Sequence, residues 1–324
     1  MKSPMRTYLD FEKTIAEMEA KAADLRAMAA ADPDVSLDTE IRKLEIKAAN
    51  ALTELYDNLT PWQKTQVARH PARPHFSDYA GKLFDEFTPL AGDRRFAEDH
   101  ALIGGFGRFR GEAVMVLGHE KGTDTESRLR HNFGMARPEG YRKAVRLMAL
   151  ADHYGIPVIT LIDSAGAYPG IGAEERGQAE AIARSTESCL QLGVPMVSVI
   201  IGEGGSGGAI AIAAANKVLM LEHAIYTVAS PEASASILWR DSGRAEEAAN
   251  TMRITAQDLK ELGVIDTIVP EPEGGAHRQP VQAIAETGTA LAAALESMVG
   301  LSAEEIRQER RRKFLNMGAL EGQG

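Results

Sequence analysis

The sequence predicts an α/β protein in which strand, loop and helix recur as a repeated unit behind an N-terminal helical hairpin. Three observations lead there. Two segments 38 residues apart are near copies of one another, short β-rich runs alternate with helical stretches from about Ala101 onward, and two apolar stripes at helical spacing occupy the first 57 residues.

The hairpin comes first in the chain. Ile15, Met18, Leu25 and Met28 share one helical face, and Ile41, Leu44, Leu52 and Leu55 share another. Asp32-Pro33-Asp34 breaks the run, and Ser36 is the candidate N-cap of the second helix, so residues 9–57 read as antiparallel helices. One apolar stripe per helix buries little alone. The hairpin must therefore pack on the following chain or on another subunit. The expected division is a hairpin over 1–60, an irregular connector over 61–100, an α/β body over 101–300 and a charged tail over 301–324. Pro61, Pro71, Pro74 and Pro89 punctuate the connector.

Within the body, strands are expected at Ala113–Leu117, Val158–Ile162, Met196–Ile201, Val218–Leu221 and Ile225–Val228, with a last piece at Gly263–Val269. Ala283 to Met298 reads as a closing helix, and the segment after Leu301 as a surface helix that frays. The repeat aligns Gly155–Ile162 with Gly193–Ile200. Each copy runs into a loop of small residues, Asp163–Gly170 in one and Gly202–Gly208 in the other. Stacked copies place these two loops side by side, at the same edge of adjoining units.

Composition bounds the function. Hydrophobic residues make up 44% of 324, enough for a full core. No run of 18 apolar residues occurs and the opening segment lacks a secretory apolar stretch, so a cytoplasmic protein without membrane spans is expected. Cys189 is the only cysteine, which excludes an internal disulfide and a four-thiolate zinc ribbon built from this chain; it reads as a small buried hydrophobe. The formal charge of -10 argues against nucleic acid as the main ligand. Two basic clusters, Lys64, Arg69, His70, Arg73 and His75, and Arg307, Arg310, Arg311, Arg312 and Lys313, read as solvated or subunit-facing surface.

Chemistry concentrates in the second loop, where three patterns overlap. Gly202, Gly204 and Gly207 satisfy the dinucleotide fingerprint, with Glu222 where a ribose-binding acid belongs. Gly204, Ser206 and Gly208 satisfy the nucleophile elbow of α/β-hydrolases. Alternatively, the backbone N–H groups of Gly207 and Gly208, before a helical run at Ala209–Ala215, form a hole for a developing oxyanion. A dinucleotide loop usually opens its domain, whereas this one lies two-thirds along the chain. A hydrolase needs a later histidine, and only His223 and His277 follow.

Six strings, in order, carry a specific resemblance: GHEKG (118–122), NFGMARPEGYRKAVRLM (132–148), GAYPGIGAEERGQAEAIAR (166–184), IGEGGSGGAIAI (201–212), SPEASASILW (230–239) and EPEGGAHR (271–278). Together with LDFEKTIAEMEAK (9–21) and ARHPARP (68–74), they resemble the carboxyltransferase alpha subunit of bacterial acetyl-CoA carboxylase across almost the whole chain. The resemblance implies a crotonase-like superhelix of ββα repeats, which accounts for the 38-residue repeat. It implies transfer of a carboxyl group from carboxybiotin, held on a biotin carboxyl carrier protein and made by biotin carboxylase, to acetyl-CoA. The product is malonyl-CoA, the first committed step of fatty acid synthesis. It also implies a beta subunit that carries a zinc ribbon and most of the CoA site in an α2β2 assembly, with no metal in this chain.

By the same resemblance, Gly207 and Gly208 donate to the biotin carbonyl, while Gly166, Ala167, Tyr168, Gly170, Gly204 and Gly205 line the substrate. Such chemistry needs oxyanion donors and no triad. Asp163 is expected to cap a helix or orient its loop, and Arg142 and Lys143 to form a solvated helix face or to meet anionic groups of CoA. Ala165 stands where the family usually has proline, which loosens that loop.

Overall fold

The computed structural model describes residues 7–31 and 37–318. The expected break at Asp32-Pro33-Asp34 and the cap at Ser36 lie outside the described residues.

The hairpin is present as α1 (Lys13–Ala31) and α2 (Asp38–Asp57). Ile15 of α1 clusters with Leu52 and Tyr56 of α2 and with Leu59 and Val67 beyond them, while Met28 is exposed. Ala22, Ile41 and Ala48 are also buried, so packing extends along the hairpin although Met28 stays outside it. Charge fixes the hairpin in place: Arg278 places Nη2 3.0 Å from Glu12 Oε1 and Nη1 2.9 Å from Glu19 Oε1, and Tyr56 Oη donates to Glu12 at 3.1 Å.

The stretch expected to be irregular is largely regular. It holds α3 (Pro61–Ala68), α4 (Phe76–Leu83) and β1 (Asp85–Pro89). Pro61 occupies the first helical position of α3, where its missing N–H costs nothing, and the Thr60 hydroxyl accepts the Gln63 N–H at 3.2 Å. Prolines that read as breakers thus begin and end elements.

One eight-stranded sheet follows, in the order β1-β2-β3-β4-β5-β6-β8, with β7 on the end of β5. The hairpin of β2 (Leu102–Phe109) and β3 (Glu112–His119) is antiparallel, as is β1 on β2. From β3 onward every pairing is parallel. After α5 (Thr125–Arg130) and α6 (Pro138–Tyr154) come β4 (Val158–Ser164), α7 (Ile171–Glu175) and α8 (Gln178–Gln191). Next are β5 (Met196–Gly205), α9 (Ser206–Ile210), β6 (Lys217–Leu221) and β7 (Ile225–Thr227). The body closes with α10 (Pro231–Trp239), α11 (Ala245–Thr251), α12 (Ala256–Glu261), β8 (Thr267–Val269), α13 (Pro280–Glu296) and α14 (Ala303–Asn316).

The sequence repeat is a structural one. β4 and β5 are neighbours whose partners, from Val158↔Met196 to Ile162↔Ile200, keep the 38-residue offset of the alignment. Thr160 and Ser198, equivalent in the two copies, bond through their hydroxyls at 2.7 Å. Both strands are buried throughout, as central parallel strands are, and so read as continuous apolar runs.

Two corrections concern the edges. β1 and β2 were not expected: Gly104, Gly105 and Gly107 interrupt the apolar alternation of β2, and β1 is short and mostly exposed. The tail helix forms, but it is not a free surface helix. Ile306 and Arg310 of α14 are fully buried, and Arg310 donates to the carbonyls of Cys189 and Leu192 at 2.7 Å and of Val194 at 3.0 Å.

Candidate active site

Beyond Ile162 the regular β4–β5 register shifts, and Ser164 pairs with Gly204. The Asp163 carboxylate fills the irregularity, accepting the Glu203 N–H at 3.0 Å. The loop after β4 then folds against the turn after β5. A Cβ on Gly208 would stand 2.6 Å from the carbonyl carbon of Gly166, and one on Gly205 would collide with the Ala165 carbonyl, so the two backbones touch only because both positions are glycine. The expected side-by-side placement of the loops is what the structure has.

Within this pair, the eight expected site residues take different places. Gly166, Ala167, Tyr168 and Gly170 lie on the first loop. Gly204 and Gly205 are the buried last residues of β5, with Gly204 facing the Tyr226 ring. Gly207 and Gly208 sit in the first turn of α9, where backbone N–H groups have no intrahelical acceptor. The helical run expected at Ala209–Ala215 is shorter and earlier, ending at Ile210. Tyr168 is held by its N–H to Ala136 O at 2.9 Å and lies beneath the Arg137 guanidinium, 4.7 Å from the ring centroid. Next to Ala165, where the proline is missing, Ser164 braces the loop: its hydroxyl donates to Gly166 O at 2.7 Å and accepts the Gly166 N–H at 3.2 Å.

Neither competing pattern in the glycine loop is built. Ser206 has φ +50°, as a nucleophile elbow would, but among the described residues no histidine bonds its hydroxyl. His223 packs on Tyr56 and His277 stacks on His70, both under the hairpin. The dinucleotide pattern fails because Gly202 and Gly204 belong to the strand itself. Glu222 is also engaged, accepting the Glu271 N–H at 3.2 Å.

Beneath the loops lies a buried ionic network that composition and motif did not reveal. Lys121 Nζ is 2.7 Å from Asp163 Oδ1 and 3.0 Å from Glu203 Oε2, and His75 Nδ1 is 3.1 Å from Asp163 Oδ2. Arg69 joins Glu203 to Glu232 of α10, at 2.6 Å on each side. Arg73, fully buried, pairs with Glu271 and donates to Ile201 O at 2.6 Å. Burial by itself would raise these carboxyls. The Lys121 charge and the His75 contact outweigh it at Asp163, Lys121 and Arg69 do so at Glu203, and Arg73 pushes Glu271 down to about 2. Asp163 orients both loops, as one of its two expected roles required. A cleft of about 210 Å³ opens beside Ala165, walled by Arg69, Lys121, Arg128, Phe133 and Glu203.

The first basic segment is therefore no solvated surface. Lys64, His70, Arg73 and His75 are buried, and Lys64 Nζ donates to Gln257 at 2.6 Å. Neither reading of Arg142 and Lys143 holds either: Arg142 pairs with Asp93 and Glu139 at 2.9 Å, and Lys143 is buried against Glu98. The signal for the network was present in the strings GHEKG and ARHPARP, which contain Lys121, Arg69 and Arg73 but offer no periodicity to interpret. Cys189 is fully buried and its thiol is pushed up to about 12 by burial, consistent with a packing role. Among the described residues no helix is long and apolar enough to cross a membrane, and no group of three or more His, Cys, Asp or Glu could hold a metal ion.

The mostly parallel open sheet is the fold shared with solved crotonase-like carboxyltransferases. Similar solved structures include a transcarboxylase 12S hexamer with hydrolysed methylmalonyl-coenzyme A bound, at TM-score 0.56 and 20% identity over 70% of this chain and 42% of that one. A Pseudomonas malonate decarboxylase hetero-tetramer in complex with coenzyme A gives TM-score 0.53 and 17% identity over 68% and 92%. At these identities the likeness is one of fold, and this chain spans less than half of the transcarboxylase chain.

Sequence comparison is finer. A family model described as acetyl co-enzyme A carboxylase carboxyltransferase-like matches residues 8–318. The acetyl-coenzyme A carboxylase carboxyl transferase subunit alpha of Rhodopseudomonas palustris (strain HaA2) is 68% identical over 318 residues, 98% of this chain and 99% of the relative. The chain belongs to this family of carboxyltransferase alpha subunits.

Proposed function

We infer that this chain is the biotin-facing half of an acetyl-CoA carboxylase carboxyltransferase, with Gly207 and Gly208 as donors to the biotin carbonyl. In this reading a carboxyl group passes from carboxybiotin, delivered on a biotin carboxyl carrier protein and made by biotin carboxylase, to acetyl-CoA, giving malonyl-CoA for fatty acid synthesis in the cytoplasm. The observation that carries it is the backbone contact between the two loops. It presents the N–H groups of a helix's first turn beside the Gly166–Gly170 loop, and among the described residues no histidine bonds the Ser206 hydroxyl there.

The chemistry suits such a site. As the carboxyl group leaves, negative charge grows on the ureido oxygen, and fixed backbone donors stabilise it without reorganising. Gly207 and Gly208 supply donors, and Tyr168, under Arg137, flanks the loop where a flat ring would enter. A second set of donors for the acetyl thioester, most of the CoA site and a zinc ribbon are assigned to a beta subunit in an α2β2 assembly. The match of this chain to less than half of a longer carboxyltransferase supports that division.

The test is the reconstituted complex with Gly208→Ala. A methyl group there meets the Gly166 backbone at 2.6 Å, so the loops must separate and the donors shift. Turnover is expected to fall about 100-fold to 1,000-fold, the cost typical of losing one oxyanion donor. CoA affinity and circular dichroism should be unchanged. Near-normal turnover would reduce the glycines to a packing turn and remove the site assignment.

A further inference from the structure

We propose that Lys121 is a positioning residue of the transfer centre, holding the roots of the two donor loops at a fixed separation through one ammonium shared by Asp163 and Glu203. The proposal rests on the functional reading above and adds to it a residue from outside both loops.

The placement of three residues carries the argument. Asp163 is the last residue but one of β4 and immediately precedes the loop of Ser164–Gly170. Glu203 stands near the end of β5, immediately before Gly204–Gly208. Between them the strand register has already shifted, so backbone pairing alone does not fix their spacing. Two carboxylates meet at that irregular point, and Lys121 Nζ reaches both, 2.7 Å from Asp163 Oδ1 and 3.0 Å from Glu203 Oε2. Lys121 itself comes from the segment between β3 and α5. It therefore ties a third element to the two loop roots.

The surroundings make this ammonium hard to replace. Asp163 is 1% exposed and Glu203 7%, so water does little to screen their repulsion. None of the other cationic or titratable groups facing them bridges the two carboxylates. Arg69 divides itself between Glu203 and Glu232, Arg73 serves Glu271 and Ile201 O, and His75 approaches only the far oxygen of Asp163. His119, next but one to Lys121 in sequence, is fully buried, and among the described residues neither ring nitrogen is partnered. Without Lys121 the two anions would move apart or one would take a proton. Either change displaces Gly204–Gly208 relative to Gly166–Gly170.

The experiment uses the full chain in complex with its beta subunit and a carboxylated carrier protein. Wild-type transfer is the control for the functional reading: an inactive wild-type complex counts against that reading and leaves Lys121 aside. With an active wild type, Lys121→Met is expected to lower kcat about 100-fold, the scale of a 1 Å misplacement, while KM for acetyl-CoA stays within about twofold. The double variant Lys121→Met/Glu203→Gln, which removes the excess negative charge, should recover about tenfold of that loss. A lysine that merely stabilised the fold would lower CoA binding and the melting temperature together with kcat, and the double variant would not restore turnover selectively. Normal turnover in Lys121→Met, or a double variant no faster than the single, overturns the proposal. Should Lys121→Met fail to assemble, Glu203→Gln decides the matter by cutting the same tie from its other end. An unchanged kcat there overturns it equally.

Discussion

His119 is a fully buried imidazole with no hydrogen-bond partner on either nitrogen among the described residues, and burial pushes its pKa down to about 4. It is therefore neutral in the folded chain and gains a proton readily only on unfolding. The sign follows: its contribution to stability is full above about pH 6.5 and is lost as pH falls toward 4. His70, His223 and His277 shift in the same direction, also by burial. The melting temperature should decline steadily below about pH 6.5, each such histidine adding up to about 1.4 kcal/mol per pH unit to the slope. His119→Phe should make the decline shallower, and an unchanged slope would mean that the ring is hydrated. At this scale the sequence was legible where packing depends on residue type, as for buried Cys189 and the glycines at which the two loops touch. It was opaque for Lys121 and Arg73, because a single charged residue gives no sign of which way its side chain turns.

Among elements, α14 shows how a charged segment becomes structural. Its Arg310 lies over the end of α8, takes up the carbonyls of Cys189 and Leu192, and reaches Val194 O and Asn216 Oδ1 at the entry to β5. A cation at a helix C-terminus also meets the negative end of its dipole. Arg310→Met should cost at least about 3 kcal/mol, since several buried acceptors lose their donor at once. Arg310→Lys should restore only part, because one ammonium cannot serve acceptors spread around a planar fork. Urea denaturation of the three proteins would check this, and a midpoint unmoved by Arg310→Met would refute the clamp. Strands read well wherever they were buried on both faces, as the 38-residue offset between β4 and β5 demonstrates. The exposed β1 escaped notice because a strand at a sheet edge need not be apolar, and β2, paired on both sides, because its glycines interrupt the apolar run.

On the scale of the whole molecule, the fold has a complete core and, in the function proposed above, half a catalytic centre. The isolated chain should be folded and cooperative yet unable to move a carboxyl group, and transfer should appear on adding the beta subunit. Transfer by the chain alone, free of partner, would defeat the two-subunit reading. The resemblance legible in the strings carried fold and family together, whereas the docking of the hairpin could not be read from one apolar stripe. That docking has a consequence in time. Glu12 and Arg278 are 266 residues apart, so the hairpin emerges from the ribosome long before its anchor exists. At ordinary rates of synthesis the wait is roughly 15 to 50 seconds. Through that interval Ile15 and Tyr56 have only the small cluster they form with Leu52, Leu59 and Val67, and the N-terminal segment is the part of the nascent chain most in need of protection from premature partners.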